Sequence, residues 1–151
     1  MNTASSRSAL LFRVGERTCA LHLRHVVEIM RPLPVAEVAN TPGFVRGLSI
    51  IRGAPTPVVL LASLWPGAGG RPTRFVIVRV GERRVALAVD SVLGVIDLDP
   101  ATLHALPPLF QHAAAGTLEA VGALDAQFLF VLNSGGIMPE EVWQEPGLSQ
   151  A

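Results

Sequence analysis

Short apolar runs broken by glycine recur along the chain. "ALLFRV" (Ala9–Val14) and "RFVIVRV" (Arg74–Val80) are dense in Leu, Val, Ile and Phe, residues that suit a pleated, half-buried surface. Each run stops at "GER", where Gly15 or Gly81 opens a turn. Each is followed by a second run, "TCALHL" (Thr18–Leu23) or "RVALAV" (Arg84–Val89). Two apolar runs about a glycine turn predict a β-hairpin. The two hairpins are nearly the same text. "RVGERTCAL" (Arg13–Leu21) and "RVGERRVAL" (Arg79–Leu87) agree at seven of nine positions, 66 residues apart.

The likeness continues beyond the hairpins. Val26 matches Val92, and "VVEIMRPLP" parallels "VLGVIDLDP" at the same offset. Further on, "VRGLSIIRGAPTPVVLLASL" rhymes with "AVGALDAQFLFVLNSGGI", which sets Gly47 against Gly122 at an offset of 75. The nine extra residues fall in "LPPLFQHAAAGTLEA" (Leu106–Ala120). The pattern predicts an all-β chain built from a duplicated unit of short strands, each unit a small barrel. A unit of about 65 residues is marginal alone, so two pack together. The expected organisation is a single domain over 8–145. Sub-barrel 1 spans about 9–65 and sub-barrel 2 about 73–133, and "WPGAGGRPT" (Trp65–Thr73) is the turn-rich connector. The offset places Leu21 and Leu87 in equivalent core positions.

Helix is scarce. "LRHVVEIM" (Leu23–Met30) predicts two turns in a connection. "MPEEVWQ" (Met138–Gln144) predicts a short helix near the C-terminus, with Pro139 at its start and Glu140 and Glu141 in its first turn. The final "EPGLSQA" reads as a frayed tail.

Composition narrows the functional classes. Charged residues make up 16% of the chain against a hydrophobic half, which points to apolar surface held for a partner. Twelve basic and twelve acidic residues cancel, without the basic excess that phosphate neutralisation leaves, so no nucleic-acid partner is expected. Tyr is absent and aromatics are few, which argues against a base-stacking platform. The single cysteine forms no internal disulfide. The N-terminal stretch lacks the long apolar segment of a signal peptide, and no apolar run is long enough to span a membrane. A cytoplasmic protein without direct membrane insertion is the expectation.

Catalytic constellations are not legible. Cys19, His22 and His25 have suggestive metal spacing, but in a strand Cys19 and His22 point to opposite faces. Cys19 stands where the other copy has Val85, so it reads as a small buried apolar residue. His104 and His112 read as solvated. Asp97 and Asp99 read as a turn residue and a helix cap before "PATLHAL" rather than an acid–base pair. No phosphate loop or nucleophile elbow is present. No enzyme, cofactor or metal is expected.

One stretch carries a sharper signal. "VVEIMRPLPVAEVANTPGFVRGLSIIRGAPTPVV" resembles the signature of the CheW-like family of chemotaxis coupling proteins. Its marks are Val26 with Glu28 and Ile29; Asn40 with Pro42; Phe44, Val45, Arg46 and Gly47; Ile51, Arg52 and Gly53; then Pro57. "VALAVDSVLGVIDL" and "VGALDAQFLFVLN" resemble the family's second half, and the likeness covers roughly 9–137. The resemblance implies two SH3-like five-stranded β-barrels packed side by side, with the repeated phrase as each barrel's opening hairpin. It implies a non-catalytic scaffold. The partners would be a CheA-type histidine kinase regulatory domain and the cytoplasmic tip of a methyl-accepting chemoreceptor, with recruitment to receptor arrays at the inner face of the membrane. It carries partner binding onto Glu28 and Arg52, and kinase-facing contacts onto Arg46 and Pro55. Leu109, or its neighbour Phe110, would contact a second kinase copy. Ile50 stands where the family has Asn, and Leu60 where it has Asp. Both changes lose polarity, which leaves open a paralogue of a non-motility pathway such as surface sensing or pilus control. A generic SH3-like module for proline-rich peptides and a small enzyme with an unrecognised site compete with the scaffold reading.

Overall fold

The computed structural model describes residues 7–39, 43–64, 71–106 and 116–137. Ten strands follow one another: β1 (Ser8–Val14), β2 (Arg17–His22), β3 (Val26–Met30), β4 (Val45–Ile51), β5 (Ala54–Leu60), β6 (Arg74–Val80), β7 (Arg83–Val89), β8 (Ser91–Asp97), β9 (Leu118–Leu124) and β10 (Gln127–Leu132). They form two five-stranded sheets, ordered β8-β1-β2-β10-β9 and β3-β6-β7-β5-β4. The fold is mostly β, as the run pattern predicts. The outer strands, β8 with β9 and β3 with β4, share no ladder that would close either sheet into a barrel.

Both repeated phrases are hairpins. β1 pairs antiparallel with β2, and β6 with β7, each about a two-residue loop. Gly15 and Gly81 open those loops at φ 60° and 65°, a conformation glycine adopts without steric penalty. Leu21 and Leu87 are both fully buried and belong to one shared core cluster. The equivalence runs deeper. Leu10 and Val76, Phe12 and Val78, and Cys19 and Val85 fill that same cluster between the sheets. The alternate positions serve separate cores: Ala9, Leu11 and Ala20 in one sheet, Phe75, Ile77 and Ala86 in the other. Successive side chains on a strand point to opposite faces. A strand lying between a private core and a shared one is therefore apolar on both, which is why "ALLF" and "FVIV" do not alternate with polar residues.

The boundaries expected from the repeat, about 9–65 and 73–133, are not those of the sheets. One sheet is contiguous, residues 26–89. The other is assembled from β1–β2 before it and β8–β10 after it. After β2 the chain makes a 3-10 turn (Leu23–His25) against β1 and β6, and β3 joins β6 of the other half. The return crossing is at Asp90. Its N–H donates to the Arg13 carbonyl (2.9 Å), and its carboxylate accepts from the Gly15 N–H (3.0 Å). β8 then joins β1. A repeat marks local hairpins, but partner choice is non-local, and two hairpins of like sequence offer like edges. "LRHVVEIM" is accordingly a single 3-10 turn and a strand rather than two helical turns, because the β6 edge captures Val26–Met30. The expected cap at Asp99 is present, its carboxylate accepting from the Ala101 N–H (3.0 Å) at the start of a 3-10 turn (Pro100–Thr102). A one-turn α-helix (Ser134–Ile137) follows β10. The helix predicted over Met138–Gln144 lies outside the described residues, as do residues 65–70 of the connector.

Candidate partner-binding surface

Arg52 and Gly53 form the two-residue loop of the β4–β5 hairpin, at φ 53° and 80°. Positive φ at both positions gives the turn whose twist matches the flanking strands, although an arginine there carries a steric cost that glycine would not. The turn aims the guanidinium at Glu28, which a bulge in β3 sets opposite Ile77. Arg52 Nε donates to Glu28 Oε2 at 3.0 Å and Nη2 to Oε1 at 2.7 Å, a planar fork on a carboxylate. β3 and β4 are the outer strands of their sheet, so the fork spans the open side of that sheet. The hydrogen bonds from Arg52 hold the Glu28 carboxyl below its usual range, against the opposing effect of desolvation, and the charges of Arg52 and Arg84 add to this. The pair therefore stays ionised above the ordinary glutamate range and is lost only as pH falls through the lowered value. Arg52 remains 71% exposed while Glu28 is 22% exposed, so the arginine faces outward and the glutamate holds it.

Beside the fork lies apolar surface. Ile50 is 63% exposed and sits directly opposite Pro55 across the β4–β5 ladder; Ile29 is exposed as well, on the face of β3 opposite to Glu28. The structure thus brings Glu28, Arg52 and Pro55 into one neighbourhood. Arg46 is elsewhere. It is exposed near the far end of β4, six residues from Arg52, or about 20 Å along a strand. Leu109 and Phe110 lie outside the described residues, as do Asn40 and Pro42 of the motif.

The second sheet has apolar surface that sequence reasoning passed over. Leu93 and Val95 are exposed on the outer strand β8. The available signal was the alternation in "VLGVIDL", which draws attention first as a match to the other half of the chain. Phe128, 66% exposed on β10, stands between two hollows of about 410 and 270 Å³. The β9–β10 loop, Asp125–Ala126, also has positive φ at both positions. It corresponds to Arg52–Gly53, but Gly94 occupies the place of Glu28 at the 66-residue offset, so the fork has no counterpart. Cys19 is buried, and burial pushes its thiol up to about 12. His22 turns to Glu119 at 3.1 Å. Among the described residues no three His, Cys, Asp or Glu side chains gather as a metal site, and no helix is long and apolar enough to cross a membrane.

Two sheets share one core, and one of them carries an exposed arginine fork with apolar neighbours. The sequence profile of the CheW-like domain matches residues 8–142, and the chain belongs to that family. It is 26% identical over 135 residues to the chemotaxis protein CheW of Klebsiella aerogenes, covering 87% of this chain and 81% of that one. It is 25% identical over 142 residues to CheW of Rhizobium meliloti, covering 92% of each. To protein FrzA of Myxococcus xanthus it is 31% identical over 122 residues, 76% of each. The crystal structure of the scaffolding protein TtCheW from Thermoanaerobacter tengcongensis has the same fold, with a TM-score of 0.80, 22% identity and 91% of each chain covered.

Proposed function

We propose that this protein is a non-catalytic coupling scaffold of chemotaxis-type signalling. It links the cytoplasmic tip of a methyl-accepting chemoreceptor to the regulatory domain of a CheA-type histidine kinase, at receptor arrays on the inner face of the membrane. The observation that carries the reading is the Glu28–Arg52 fork, outward-facing and flanked by Ile50 and Pro55, on the positions where the chain carries the family motif. An apolar anchor beside a desolvatable charged group is the composition of an interface centre. Arg46, Leu109 and Phe110 are assigned kinase-side contacts within the same proposal. Exposed Ile50, apolar where the motif has Asn, favours a second reading: a paralogue whose partners present a more apolar surface than those of a motility pathway.

The test is a titration against a receptor-tip fragment and the kinase regulatory domain separately. Arg52→Asn is the informative variant, because Asn tolerates the left-handed turn conformation while removing the fork. It is expected to fold normally and to lose about tenfold or more in affinity for at least one partner. Unchanged affinity for both would remove Arg52 from the interface. Ile50→Asn in the same titration separates the two readings. Weaker binding supports the apolar-partner paralogue, and stronger binding to motility partners supports the motility coupler.

A further inference from the structure

The connection leaving β3 carries "RPLPVAE" (Arg31–Glu37), and it lies as a strap along the outer strand β4. Ala36 and Leu48 exchange backbone hydrogen bonds of 2.8 and 2.9 Å, and the Ser49 hydroxyl donates to the Pro34 carbonyl at 2.7 Å. Gly47 makes the close approach possible, since a Cβ there would stand 2.1 Å from the Ala36 carbonyl oxygen. Two prolines fix φ along the strap and stiffen it. Beneath it is a cleft of about 550 Å³ whose apolar wall is Leu33, Val35 and Leu60 over Phe75. Arg46, from β4, and Arg71, just ahead of β6, also line it; both are exposed. Among the described residues neither has a carboxylate partner, and Glu37 in the same strap pairs with neither.

An apolar hollow bordered by two guanidinium groups that lack a carboxylate partner among the described residues is complementary to a ligand that is apolar at its centre and anionic at its ends. Sites for small molecules fix orientation with inward polar groups. Here the charged side chains are exposed, as in recognition of an extended chain. We propose that the cleft binds an acidic peptide segment of a protein partner, seating an apolar side chain on Leu33, Val35 and Phe75 and placing carboxylates on Arg46 and Arg71. The inference rests on the coupling reading only in taking Arg46 as a partner contact. The stiff strap is a preformed wall, which lowers the ordering cost of binding.

The probe is a fluorescein-labelled hexapeptide, Asp-Glu-Leu-Phe-Asp-Glu, with a control in which the four acidic residues become Asn and Gln. The acidic peptide is expected to bind saturably and more weakly as salt rises. It should shift the methyl signals of Leu33, Val35 and Leu60 in NMR spectra of the full chain. Arg46→Glu and Arg71→Glu are each expected to weaken binding at least tenfold. Equal binding of the neutral control, absence of saturation, or shifts confined to residues away from the strap would overturn the proposal. Arg52 plays no part in this measurement, so the coupling reading and the cleft can fail independently.

Discussion

Cys19 occupies in one hairpin the place that Val85 holds in the other, and the fold treats the two alike. Burial raises its thiol from an ordinary 9.0 to about 12. The folded protein therefore keeps the proton while the unfolded chain releases it. Stability is fully present below about pH 9 and declines as pH rises above it. Native protein is expected to react slowly with a thiol reagent, at a rate set by unfolding; fast labelling would contradict the burial. Cys19→Val, the substitution the repeat itself supplies, is expected to fold and to remove this alkaline component from a denaturation series. Much at this scale was legible. The buried cysteine, the cap at Asp99, and Leu21 with Leu87 followed from spacing and from comparing the two copies. The orientation of Glu28 towards Arg52 was not, because a bulge and a left-handed turn combine to produce it.

At the scale of elements, the hairpins were readable because their contacts are a few residues apart. The strap was not, because nothing in "RPLPVAE" names the strand it covers. Its cause sits in the partner strand, at Gly47. Gly47→Ala is expected to cost about 1–3 kcal/mol in chemical denaturation, since backbone must shift to clear a contact of 2.1 Å. It should also displace the strap, visible as faster exchange of the Ala36 and Leu48 amides. Unchanged exchange at both would mean that the strap docks without needing the glycine. The stretch from Leu23 to Met30 departs from its helical expectation for a related reason. A mixed octet of five apolar and three polar residues has no fixed secondary structure until an edge strand competes for it, and the β6 edge takes up Val26–Met30 as a strand.

Across the whole molecule, the shared cluster makes the two sheets one cooperative body. Leu21 and Leu87 enter it from opposite sides. Leu21→Ala and Leu87→Ala are each expected to cost on the order of 2–5 kcal/mol. Each should lower a single unfolding transition seen by probes in both sheets; two separated transitions would show that the sheets are independent. The duplication was legible, yet the division into sheets was not, because the repeat records the order of strands and pairing is settled across space. That division also orders the molecule in time. Chain emerging from a ribosome yields residues 26–89 with all five strands of their sheet in hand, while the opening hairpin waits with both long edges bare until β8 and β10 are made. The hairpin synthesised first is thus the last to gain its neighbours, and during that interval the bare edges of β1 and β2 are the part of this protein open to a chaperone or a stray neighbour.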